Sequence, residues 1–124
     1  MKERKVVASD AREVKRQYNV LFTQDAELDL NELIDFIVAQ DGELQADQIL
    51  GRLECAVFNL AEFPDRGVWP KELLDIGIRE FREVFFKPYR IIYRIDDVNV
   101  HIMLISDGRR DMQTLLQRRL LRLI

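Results

Sequence analysis

Residues 78–108 read IREFREVFFKPYRIIYRIDDVNVHIMLISDG, and this stretch decides the fold. Three β-rich runs, 78–86, 89–95 and 98–106, are separated by Lys87-Pro88 and by Asp96-Asp97. Aromatic and β-branched residues favour the pleated strand, and Pro and paired Asp break it. Links this short force an antiparallel meander. Asp107-Gly108 ends the third strand with a turn, and Asp111 is placed to N-cap a last helix with an apolar face of Met112, Leu115, Leu116, Leu120 and Leu123.

Upstream, the apolar period changes from two to about 3.6. Residues 18–22 form a short β-rich run, and Thr23 is placed to cap a helix whose face carries Ala26, Leu30, Leu33, Ile34, Ile37 and Val38. Gly42 stops it, and a second helix presents Ala46, Ile49, Leu50, Leu53, Val57 and Leu60. A link of a few residues folds the two helices into an antiparallel hairpin. Phe63 to Gly67 breaks the second helix, and a loop through Trp69 and Pro70 leads to the sheet. The expectation is one α+β domain over residues 18–124, preceded by an arm at 1–17 that is disordered or a short helix. With 124 residues the chain is of single-domain size.

Apolar residues are 48% and charged residues 33% of the chain, a globular balance. No run approaches the about 20 apolar residues of a membrane span, and the first residues lack the apolar core of a secretory leader. A lone cysteine, Cys55, forms no internal disulfide, so a cytoplasmic location is expected. The net charge of −3 is unevenly spread. Residues 18–78 carry 3 Lys or Arg against 13 Asp or Glu; residues 79–124 carry 10 against 6. Such a split points to a basic working face on an acidic body.

Little in the chain suits metal or nucleophilic chemistry. Cys55 and His101 are a single cysteine and a single histidine, with nothing to join them, and no glycine-rich phosphate loop is present. Neither metal nor cofactor is expected. The carboxylates Asp25, Asp29, Glu32 and Asp35 read as a solvated helix face. The arginines are more informative. Arg79, Arg82, Arg90 and Arg94 are assigned to two adjacent strands, and Arg109 and Arg110 to the late turn. A hairpin turning near Pro88 is expected to bring Arg82 and Arg90 to one end of the sheet. Guanidinium groups grip phosphates or carboxylates bidentately. Pairing with Glu80 and Glu83 accounts for some of them, but not for Arg109 and Arg110, since a turn has no ladder partner. Phe81, Phe85, Phe86, Tyr89 and Tyr93 interleave with these arginines, as core residues for the most part.

Residues 70–74, 81–83, 89–94 and 107–111, with the opening 18–23 and Ala26, together resemble the RelE/ParE toxins of bacterial toxin–antitoxin pairs. The likeness spans about residues 18–124. It implies a helical hairpin packed on a small twisted antiparallel sheet, with an N-terminal strand and a C-terminal helix. It also implies a cognate antitoxin, with operator DNA reached only through it, and no membrane partner. Members divide by target, and the ParE-like branch, which poisons DNA gyrase, is the leading expectation. In that reading there are no catalytic residues, and Arg79, Arg82, Tyr89, Arg90, Arg94, Arg109 and Arg110 meet the target or the antitoxin. The alternative is the RelE-like branch, which cuts mRNA on the ribosome; Arg82, Arg90 and Arg110 would then surround the scissile phosphate. Two positions depart from that branch: Val84 stands for its second strand lysine and Leu116 for its late tyrosine. A third alternative is a non-toxic relative that only binds a partner.

Overall fold

The computed structural model describes residues 3–5 and 17–121, with backbone alone at 3–5. In chain order the elements are β1 (Glu3–Lys5), β2 (Asn19–Phe22), α1 (Gln24–Asp41), α2 (Glu43–Phe58), α3 (Lys71–Leu74), β3 (Arg82–Phe86), β4 (Tyr89–Asp96), β5 (Asn99–Asp107) and α4 (Met112–Leu120). They form one sheet in the order β1-β2-β5-β4-β3.

Local chemistry starts and stops the helices as the sequence dictates. Thr23 Oγ1 accepts from the Ala26 N–H (3.1 Å), which caps α1, and donates to Ile102 O (3.0 Å), which ties that cap to β5. Gly42, at φ 92°, is the only residue between α1 and α2, and a residue with a Cβ would resist that angle. Asp111 caps α4 by accepting from the Thr114 N–H (3.2 Å). At the β4–β5 turn Asp97 takes φ 56°, a conformation a short polar side chain tolerates.

The meander β3-β4-β5 is antiparallel as expected. β2 joins it through β5 in parallel, with Asn19 opposite Asn99 and Phe22 opposite Ile102. The helical hairpin makes the crossover that such a pairing needs. Of the arm at 1–17, three residues form a strand antiparallel to β2, with Glu3 opposite Leu21; residues 1–2 and 6–16 lie outside the described residues.

The sheet buries both faces. Val20, Ile91, Tyr93, Val100 and Ile102 pack against Ala26, Ile37, Leu53 and Val57 of the hairpin. On the other face Ile92 and Leu104 meet Phe81, Leu73 of α3, and Met112 and Leu116 of α4. A bulge in β5 makes this division work. Ile92 pairs with Leu104 but Tyr93 pairs with Ile102, leaving Met103 as an extra residue. Ile102 and Ile105, three positions apart, therefore both face the hairpin, which a regular strand would forbid.

The first strand of the meander starts later than expected, at Arg82 rather than 78. The chain before it belongs to α3: the Ile78 N–H donates to Leu73 O (2.9 Å) and Gly77 turns at φ 80°. Arg79 is therefore on the approach to the sheet and not on a strand.

Candidate functional site

The arginines divide by the company they keep. Arg90 is held inside the protein. Its guanidinium donates twice to Glu72 of α3 (2.9 and 2.8 Å), and its Nε donates to Glu83 Oε1 of β3 (2.6 Å). The Arg90 side chain is 12% exposed and that of Glu83 4%. The Nη1–Nη2 fork fills one carboxylate and Nε serves the other. The two carboxyls respond in opposite directions. Arg90 holds Glu72, the more exposed of the two, below its ordinary value. Burial pushes Glu83 above its own, against the pull of Arg90.

Arg82 does not share that cluster. It stands opposite Tyr93, whereas Arg90 stands opposite Phe85, so the two are three residues, about 10 Å, apart along the ladder. They also point to opposite faces, since Arg82 alternates with Glu83, the residue that Arg90 grips. The sequence expectation that they meet at one end of the sheet is thus corrected. Arg82 reaches back to Gly67 O (3.0 Å) and lies over the Trp69 ring, 5.7 Å from its centre. Arg79 lies over the same ring at 5.5 Å. Gly67 is fixed here by contact: a Cβ on it would fall within 2.8 Å of Glu83 O and closer still to the Tyr93 hydroxyl. That hydroxyl accepts from the Gly67 N–H (3.0 Å) and donates to Pro64 O (2.6 Å), anchoring the loop.

In the late turn Arg109 does have a partner, contrary to expectation. Asp107, two residues back, accepts from its Nε (2.9 Å), its Nη2 (2.6 Å) and its backbone N–H (2.9 Å), and this holds the Asp107 carboxyl below the usual range. The Arg109 side chain is nevertheless 77% exposed. Arg110 is exposed, and its side chain makes no hydrogen bond or ion pair among the described residues. Both line a groove of about 430 Å³ between α1 and the end of β5, with Leu33, Phe36, Ile105 and Glu32 on its walls. Phe36 is 62% exposed.

Asp29, read from sequence as solvated, also lines that groove. It takes a bidentate pair from Arg119 of α4 (3.0 and 3.0 Å) and accepts the Ile105 N–H (3.1 Å). β2 ends opposite Ile102, so this carboxylate satisfies a β5 donor that has no strand beside it. Asp25, Glu32 and Asp35 are exposed as expected.

Two further positions are not presented for binding. Tyr89 is buried in the core on the hairpin side. Arg94 is largely covered, and its Nε finds no partner among the described residues; it borders an open cavity with Arg79, Glu80 and Asp96. Val84 and Leu116 are core residues. Glu72, Asp29 and Trp69 were not singled out as site residues in the sequence. Only the run at 70–74 hinted at Glu72.

No group of three metal-ligating side chains occurs among the described residues. Nor is any described helix long and apolar enough to cross a membrane.

Fold and comparison together define the class: this is the toxin component of a type II toxin–antitoxin system. The chain belongs to the family described as the ParE toxin of the type II parDE system, whose family model matches residues 20–112. The Caulobacter vibrioides toxin RelE2 is 36% identical over 91 residues, 73% of this chain and 96% of the relative. Among solved structures, the chromosomal ParDE system of P. aeruginosa superposes with a TM-score of 0.60 at 18% identity, covering 71% of this chain and 92% of its own. The RelBE2 toxin–antitoxin complex of Mycobacterium tuberculosis gives 0.52 at 26% identity, covering 77% and 94%.

Proposed function

We propose that the protein arrests growth in the cytoplasm by binding DNA gyrase, with no chemistry of its own, and that a cognate antitoxin silences it. One observation carries this reading: the arginines do not converge. Cutting a phosphodiester needs donors within hydrogen-bonding distance of one developing oxyanion. Arg90 is already committed to two carboxylates, Arg82 lies on the opposite face, and Arg110 stands in the late turn. The free cations suit a broad protein surface better than a catalytic centre. The groove beneath Arg109 and Arg110, with Leu33 and Phe36 beside it, fits an acidic, partly apolar antitoxin segment that orders on binding.

The test is induced expression in a bacterial host, with DNA and protein synthesis followed by separate pulse labels in the first minutes. DNA synthesis is expected to fall first, with an SOS response, while translation continues. The double substitution Arg109→Ala and Arg110→Ala is expected to abolish arrest and leave the fold intact; undiminished toxicity would remove these residues from the target surface. The similarity to RelE2 supports one second reading, ribosome-dependent mRNA cleavage. An immediate fall in translation with cut mRNA would establish it in place of gyrase binding.

A further inference from the structure

Trp69 is the chain's single tryptophan and is 41% exposed. Two guanidinium groups lie over its ring, at 5.5 Å (Arg79) and 5.7 Å (Arg82) from the centre. Neither has a carboxylate partner. Arg82 donates only to backbone carbonyls of the loop, and Arg79 makes no hydrogen bond or ion pair among the described residues. Each cation gains from the face of the indole, but the two repel one another. Both lie near one ring, so an anion bound beside the indole meets both positive charges and offsets that repulsion. An arginine stacked on an aromatic ring keeps its N–H edge free for bidentate binding.

The clamp is also prepared in advance. Val68 and Glu83 exchange both backbone hydrogen bonds (3.0 and 2.7 Å), which fixes the segment carrying Trp69 along the outer edge of β3. Tyr93 fixes Gly67 behind it. Little loop freedom is left to lose when a ligand arrives. The exposed indole itself supplies the apolar part of this surface. Exposed Trp and Arg set in a rigid, partly apolar surface are what the energetic centre of a protein interface is made of.

The neighbourhood narrows the anion. Glu80 and Asp96 border the adjoining cavity with Arg79. A polyphosphate strand leaving the clamp would run along carboxylates, whereas a single carboxylate needs only the clamp.

We propose that Trp69, Arg79 and Arg82 form a recognition site for one Asp or Glu side chain, carried beside an apolar residue on a segment of a partner protein. This rests on the reading of the chain as a toxin that works by binding proteins. The site is separate from the groove under Arg109 and Arg110.

Because Trp69 is unique, its fluorescence reports this site alone. The full-length protein is titrated with a short synthetic peptide carrying a single Glu beside Val in an otherwise uncharged Gly/Ser sequence, with the same peptide carrying Gln for Glu, and with a single-stranded RNA oligomer. The Glu peptide is expected to shift Trp69 emission saturably, and the Gln peptide to bind about tenfold more weakly. Arg79→Glu is expected to abolish the response. Lys87→Glu, an equal charge change at the β3–β4 turn, leaves it unaltered. Equal binding of the Gln peptide, or an unchanged response in Arg79→Glu, overturns the proposal. An RNA response at lower concentration than the peptide does so too, and assigns the clamp to phosphate. Growth arrest is scored separately: a wild-type chain that answers the Glu peptide but does not arrest growth sinks the toxin reading and leaves the clamp standing.

Discussion

Replacing Arg90 by Met tests whether this arginine is structural or available to a target. Met keeps most of the apolar stem and removes the charge. The loss is three hydrogen bonds, two to Glu72 and one to Glu83. Glu72 can recover water, since its side chain is 25% exposed, but Glu83, at 4%, cannot. Removing one partner of a buried pair costs about 3–5 kcal/mol because it strands the other charge. That is a large part of the roughly 5–15 kcal/mol by which a domain is stable. The sign with pH follows from Glu83, whose carboxyl burial already pushes above its ordinary 4.5. Losing Arg90 removes the opposing pull and raises it further. A folded-state value above the unfolded one means the native state holds the extra proton, so stability falls as pH rises through that window and returns as pH falls. The assay is urea unfolding followed by circular dichroism at about pH 7.5 and about pH 5.5. The Met variant should lose most at the higher pH, recover part at the lower, and recover most of the deficit at either pH when Glu83→Gln is added. A variant within about 1 kcal/mol of wild type at both pH values, the range of an exposed pair, would refute the reasoning and return Arg90 to the free cations.

Gly67→Ala should destabilise the fold by about 2–4 kcal/mol, since the new methyl displaces the Tyr93 hydroxyl from two hydrogen bonds. In a domain this size that is a fall of about 10 °C in Tm by calorimetry, and an unchanged Tm would deny the contact. Asp29→Ala should cost about 1–3 kcal/mol by freeing Arg119 and stranding the Ile105 N–H. Hydrogen exchange should then quicken across residues 112–120; unaltered protection there would mean that α4 is held without this pair.

What was legible in the sequence is what neighbours in the chain decide. Thr23 and Asp111 cap helices three residues ahead of them, Gly42 turns one helix into the next, and Pro88 and Asp97 set the turns of the meander. Those are local transactions, so pattern and propensity suffice. Most of what was not legible depends on distant partners; the Arg109–Asp107 pair and the Ile78–Leu73 bond are the local exceptions. Nothing in residues 18–22 says that they run parallel to β5, 80 residues on, or that Met103 is the extra residue of a bulge. The late start of β3 follows from Ile78 bonding back to Leu73, a choice made by α3. The same limit governed the arginines. Composition announced ten cations after residue 78, but not that Arg90 finds Glu72, 18 residues away, or that Arg119 finds Asp29, 90 away. A charge whose partner is remote in sequence reads as free.

Sorting those cations by partner changes what they can do. Arg90 and Arg119 hold α3 and α4 to the rest of the molecule, and Arg109 is braced by its own turn. Of the arginines expected to form the site, that leaves Arg79 and Arg82 over Trp69 at the β3 edge, Arg110 at the groove beside β5, and the largely covered Arg94. The ladder fixes how far apart these groups are. Arg82 opens β3 opposite Tyr93, while Asp107, just before the late turn, stands opposite Tyr89, four residues away along β4. One group lies at the β3 edge and the other at the end of β5, two strands over, so about 10 Å separate them across the sheet and about 13 Å along it. No single phosphate spans that distance. A protein surface of ordinary interface size, about 800 Å² on each side, does so easily. The arrangement of charge in this toxin therefore favours a large partner met at two places over a small group held at one.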